Sequence, residues 1–178
     1  MKAVLDACVL YPTVLREVLL GAARAGLYQP LWSARILEEW ARAARKLGPA
    51  QEALARGEIA LARTGFPRAE VAAQPALEAR LWLPDPADVH VLAVAVAAGA
   101  DAIVTFNAQD FPRGEMAAQG LDRLDPDGFL LALERGTVAA VAETVRAEAE
   151  RLSGQPQDIR ALMKRAGLPR LGKALAGA

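Results

Sequence analysis

Hydrophobic residues along this chain fall in short blocks whose spacing alternates between continuous runs and helical periodicity. Val4-Leu5 and Val9-Leu10 enclose Asp6-Ala7-Cys8 in an apolar run without helical spacing, and this run reads as a buried strand. Pro12 interrupts it. Leu15, Val18, Leu19 and Ala22 then recur at helical spacing until Gly26. Residues 27–32 read as a second strand, in which Pro30 suits an edge or an end. Ser33 is a good N-cap for a helix to about Leu47, broken by Gly48-Pro49. A further helix spans 51–63 and stops at Thr64-Gly65-Phe66-Pro67. The pattern then predicts a short helix over 68–75 and a short extended piece over 76–83.

The clearest helix opens at Asp85-Pro86-Ala87-Asp88 and runs to about Ala98. Asp85 is placed to cap it, Pro86 takes the favoured first position, and Gly99 ends it. Residues 101–106 follow as a buried strand. Strand, helix and strand with short links predict a parallel sheet with helices on its faces, an α/β fold. Ligands of such sheets bind beyond the carboxyl ends of the strands, a rim that would hold both Asp6 and Asn107. From Asp125 onward the texture becomes helical, with helices expected over 129–135, 138–152 and 158–166. The organisation expected is therefore a domain over 1–124 and a helical extension over 125–178.

Composition narrows the chemistry. The 178 residues are 53% hydrophobic and 24% charged, the balance of a globular chain. The net charge of +0 argues against gripping nucleic acid by global charge alone. One cysteine, Cys8, leaves neither an internal disulfide nor a cysteine-based zinc site, and His90 is the one histidine. A bound metal would therefore be held by oxygen, which suits Mg or Mn. A charge at Lys2 comes too early for a signal peptide, and the apolar stretch 91–100 falls well short of the roughly 20 residues of a membrane helix. A cytoplasmic protein is the expectation.

Three carboxylates stand where burial is costly. Asp6 interrupts an apolar strand, Asp88 begins an apolar helix, and Asp110 follows the end of the strand at Thr105-Phe106-Asn107. Gathered together they would repel one another unless a divalent cation neutralised them. Each also has a purely structural role open to it. Asp6 can begin a turn, Asp88 can serve the helix dipole, and Asp110 can cap the segment that starts at Phe111. Asp85 is assigned to capping.

Four motifs in order carry a resemblance to the PIN-domain family. Leu5-Asp6-Ala7-Cys8-Val9-Leu10 resembles its opening strand. Residues 33–40, with Glu38-Glu39-Trp40, resemble its second motif, where a helical glutamate faces the site. Residues 85–93 resemble its third, and Thr105-Phe106-Asn107-Ala108-Gln109-Asp110-Phe111 its fourth. The resemblance covers about 1–124. It implies a three-layer fold with a central parallel sheet flanked by helices, and a Mg- or Mn-dependent endoribonuclease whose ligands are Asp6, Glu39, Asp88 and Asp110. Glu39 matches the motif better than Glu38, and the two point about 100° apart on a helix, so one of them should face the pocket. Many relatives carry Asp where this chain has Asn107, which offers a neutral oxygen without charge. Thr105 is expected to orient a carboxylate or water. Many members are VapC-like toxins paired with an antitoxin protein, and relatives often form dimers.

The remaining candidates are weaker. His90 reads as a packed or capping residue rather than a base, Cys8 as a small buried hydrophobe, and Trp32, Trp40 and Trp82 as core rather than base-stacking platforms. Asp125-Pro126-Asp127-Gly128 reads as a turn. Arg35, Arg42 and Lys46 share a helix face and could hold RNA phosphates, or equally form a solvated surface. Two further functional readings stand beside the nuclease: a non-catalytic PIN-like module that binds nucleic acid or protein, and an Asp-based phosphotransfer protein.

Overall fold

The computed structural model describes residues 1–177. Along the chain the elements are β1 (Lys2–Leu5), α1 (Ala7–Leu10), α2 (Thr13–Arg24), β2 (Gln29–Ser33), α3 (Ala34–Arg45) and α4 (Pro49–Gly65). Next come β3 (Glu70–Val71), α5 (Pro75–Glu78), a 3-10 turn (Pro86–Asp88), α6 (Val89–Ala98), β4 (Ala102–Val104), α7 (Arg113–Ala118) and β5 (Asp122–Leu124). The chain ends in α8 (Pro126–Ala132), α9 (Arg135–Ser153), α10 (Ile159–Arg165) and α11 (Pro169–Ala176). Among the described residues no helix is long and apolar enough to cross a membrane.

These elements form two compact units. One comprises Met1–Tyr11 with Gln29–Leu124, and the other Pro12–Tyr28 with the chain from Asp125 on. The first unit is an α/β fold around a five-stranded sheet in the order β3-β2-β1-β4-β5. All neighbours are parallel, with Val4 paired to Leu31 on one side and to Ile103 on the other. The strand order reverses direction between β1 and β4, so their carboxyl ends flank the crevice where such sheets place ligands. The central strands are apolar on both faces: Ala3, Val4, Leu5, Ala102, Ile103 and Val104 are all buried. α6 is apolar all round and is buried from Val89 to Ala95, as such a helix must be. Gly99 closes it at φ 57°, the left-handed geometry that glycine adopts without a Cβ clash. Ser33 caps α3 by accepting a hydrogen bond from the Ile36 amide at 3.2 Å.

The second unit is helical. The expected helical extension has α2 as a member, packed on α9. The approach is so close at Gly21 that a Cβ there would lie 2.5 Å from Val141 Cγ1. Tyr28 donates to the Leu19 carbonyl and sets its ring edge-on to Phe129, with centroids 4.8 Å apart. The buried Asp127 accepts from the Arg170 and Leu171 amides and so caps the start of α11. Asp125 accepts from Gly128 N–H, so Asp125-Pro126-Asp127-Gly128 is a helix start rather than an isolated turn.

Several local expectations are corrected. Val9-Leu10 belong to α1, not to a strand: the Val9 and Leu10 amides turn back onto the Asp6 carbonyl. The segment 68–75 holds the edge strand β3 instead of a helix, because Trp32 N–H reaches the Ala69 carbonyl and brings Glu70 and Val71 alongside β2. The segment 76–83 opens within α5, not in extended form, with Pro75 at its first turn. α7, β5 and α11 are additional elements, each too short for periodicity to announce.

Candidate metal centre

Asp6 sits where β1 ends. Its backbone is extended and its N–H still pairs with the Val104 carbonyl of β4, which fixes the carboxylate at the crevice. Asp6 is 8% exposed. Its Oδ2 accepts hydrogen bonds from Thr105 Oγ1 at 2.6 Å and Cys8 Sγ at 3.2 Å. Thr105 Oγ1 in turn accepts from the Asn107 amide at 2.9 Å. The side chain of Asn107 donates to Asp88 Oδ2 at 3.1 Å. Asn107 thus acts here as a donor that orients Asp88.

Asp88 ends the 3-10 turn and Asp85 caps it, accepting from Ala87 N–H at 2.8 Å. A 3-10 turn has about three residues per turn, so residues three apart stack on one side. Asp85 and Asp88 therefore face the same way. Asp110 joins them from the loop after β4, and the three residues each offer a carboxylate oxygen within 4.8 Å of the others. Asp85 is the member that sequence reading assigned to capping alone. The cap uses Oδ1 and does not remove the side chain from the cluster. Its i, i+3 spacing to Asp88 across a proline was the available signal.

Charge crowding is visible at Asp88. Its carboxyl is pushed up from 3.8 to about 6, first by burial and then by the negative charges of Asp6, Asp85, Asp110 and Glu39. The four expected ligands and Asp85 therefore all share one field, with Asp88 at its centre. Glu39 projects from α3 toward this field and pairs with Arg35 at 3.3 Å. Glu38 turns instead to Arg56, at 3.0 and 3.2 Å, and to Arg42. His90 is 2% exposed, with Nε2 2.9 Å from Glu39 Oε1 but too oblique for a hydrogen bond. It packs against Glu39.

Two readings of the sequence change at the rim. Cys8 is not a passive hydrophobe: its thiol donates to Asp6, contacts Thr105 and accepts from Phe106 N–H. Burial and the Asp6 charge push it up to about 12, which keeps it protonated as a donor. The shared cationic face of α3 is divided by carboxylates. Arg35 is engaged by Glu39, Glu78 and the Ala87 carbonyl, and Arg42 by Glu38, while Lys46 lies exposed past the last turn. Trp82 is 63% exposed, whereas Trp32 and Trp40 are core as expected.

An oxygen-only group of carboxylates, one of them raised to about 6 first by burial and then by its neighbours, fits a hard divalent cation. A separate apolar groove of about 470 Å³ lies between α2 and α9 in the second unit, with Glu17 and Glu148 among its lining residues. No curated protein and no solved structure matches the chain. A family description does: the PIN domain, over residues 2–109, which carry Asp6, Glu39, Asp85, Asp88 and Asn107, with Asp110 one residue beyond. That match covers well over half of the 178 residues, and the chain belongs to the PIN-domain family.

Proposed function

We propose that the protein is a Mg- or Mn-dependent endoribonuclease that hydrolyses RNA phosphodiester bonds. The observation that carries this reading is the convergence of four further carboxylates on Asp88, which leaves negative charge that a divalent cation would neutralise. The family, one of nucleases in general, supplies the reaction class. Asp85, Asp88 and Asp110 would hold the ion, with Asp6 and Glu39 beside them. Bound there, Mg or Mn supplies Lewis acidity toward a phosphodiester oxygen and toward water.

The chain's own residues prepare that site. Thr105 and Cys8 fix one oxygen of Asp6 by donating to it. Asn107 fixes one oxygen of Asp88 in the same way. In the hydrolysis, a water oxygen bonds to phosphorus opposite the ester oxygen that departs, and the water's proton ends on that departing oxygen. The substrate's 2′-hydroxyl takes no part, so DNA is a necessary control. The place as toxin of a VapC-like toxin–antitoxin pair, with an antitoxin partner and a homodimer, is proposed on the resemblance of the motifs alone. The silent-module reading draws on Asn107, a neutral residue where many relatives have a charge. The phosphotransfer reading has no comparable support, since Cys8 stands two residues after Asp6.

The test is incubation of purified protein with RNA and DNA oligonucleotides, with and without Mn, beside Asp6→Asn and Asp88→Asn. Both substitutions keep a hydrogen-bonding oxygen and should fold. Mn-dependent RNA cleavage absent from both variants is expected. Binding of Mn without cleavage of any oligonucleotide would favour the silent module, and absence of Mn binding would overturn the metal centre itself.

A further inference from the structure

Among the described residues eight large hydrophobic side chains stand exposed, and two of them are aromatic: Trp82 at 63% and Phe106 at 45%. Both lie on the segments that build the acidic centre. Trp82 precedes Asp85 by three residues, at most roughly 10 Å of chain. Phe106 lies between Thr105 and Asn107, and its N–H is bonded to Cys8 Sγ beside Asp6. Their backbones are held. Leu83, next to Trp82, is 1% exposed, and Pro84 and Pro86 restrict the chain on the way to Asp88. Phe111, five residues past Phe106, is fully buried. Rings presented on anchored backbone lose little freedom when a flat ligand settles on them.

The charges around the centre say how a polyanion could be held. Five carboxylates gather there, Arg35 is occupied by Glu39 and Glu78, and Arg42 by Glu38. The chain's net charge is +0. Arg35 and Arg42 are thus little available for phosphate contacts, and a second source of affinity would help bring a nucleic acid to this surface. Aromatic rings provide it by stacking, worth roughly 5- to 150-fold in Kd per base. Stacking of this kind requires bases that are not already stacked inside a duplex.

We propose that Trp82 and Phe106 are stacking platforms for the unpaired bases of single-stranded RNA, which they hold beside the acidic centre. This rests on the nuclease reading above for the identity of the polymer. It predicts a single-strand preference.

The test uses the full chain without divalent metal and a labelled ten-nucleotide mixed-sequence RNA, single-stranded or in a perfect duplex. Trp82 is the solvent-exposed tryptophan, so single-stranded RNA should quench wild-type emission. By fluorescence anisotropy, Trp82→Ala and Phe106→Ala should each weaken binding roughly 5- to 150-fold. Trp82→Phe should stay within a few-fold of wild type. Binding with unchanged emission, wild-type affinity in both alanine variants, tighter binding to the duplex, or no binding of single-stranded RNA by the wild type would each overturn the platforms. A cleavage assay in Mn separates the two proposals. Wild-type cleavage with an unchanged KM in both alanine variants removes the platforms and leaves the nuclease. Quenching and weakened binding without wild-type cleavage removes the nuclease and leaves the platforms.

Discussion

Replacing Asp88 by Asn should stabilise the metal-free protein and destabilise it relative to wild type when metal is bound. Asp88 is half-buried among four other carboxylates that, with burial, raise its carboxyl from 3.8 to about 6. At about 1.4 kcal/mol per pH unit, that rise amounts to roughly 3 kcal/mol of unfavourable energy at neutral pH in a dry site. Asp88 is partly open to water, and screening reduces the figure to about 1 kcal/mol. Asn keeps an acceptor oxygen for the Asn107 side chain and removes the charge. For a chain of this size about 1 kcal/mol is about 2–4 °C in Tm.

The pH dependence follows from the sign. The folded state holds the Asp88 proton more tightly than the unfolded chain, so this carboxyl lowers wild-type stability as pH rises from about 4 to about 6. The advantage of Asn should be complete above about 6 and vanish below about 4. Thermal melts in EDTA across that range measure it. With Mn at about a hundred times its Kd, wild type should gain about 2.7 kcal/mol, which the variant lacks, and the order of the two Tm values should invert. An Asp88→Asn protein less stable than wild type in EDTA at neutral pH would refute the reasoning, since the carboxylate would then be stabilising the apo fold.

Three further substitutions test the scaffold. Ser33→Ala removes the acceptor for the Ile36 amide at the start of α3 and should cost about 1 kcal/mol by denaturant melt. Gly99→Ala meets no atom within 4 Å, so its cost should be the left-handed backbone alone, about 1 kcal/mol, with hydrogen exchange rising at the end of α6. Asp127→Ala leaves the Arg170 and Leu171 amides without their acceptor and should cost about 1–3 kcal/mol, with loss of helicity at α11.

Features written in a few adjacent residues were legible beforehand. The start of α6 is one: Asp85 caps, Pro86 fits the first turn, and Gly99 ends the helix, because capping and backbone preference act over only a few residues. The two apolar strands predicted one rim for Asp6 and Asn107, because parallel strands of a common sheet align their carboxyl ends. Asp6 and Asp88 were conspicuous for the same local reason, as charges set in apolar surroundings. The association of α2 with α9 was not legible, since it depends on Gly21 meeting Val141, far apart in the chain. β3 exists because Ala69 and Glu70 reach the edge of β2, a pairing that two residues do not announce. Asp85 could be read as a cap, but its convergence with Asp110 required the loop after β4 to close over the turn. Likewise, composition does not distinguish Trp40, which is buried, from Trp82, which is exposed. The sequence by itself determined which residues are apolar, charged or conformationally restricted, because these are properties of single residues and their neighbours. Only the tertiary structure decided which of them meet and which face water, because burial and charge crowding depend on segments that are remote in sequence.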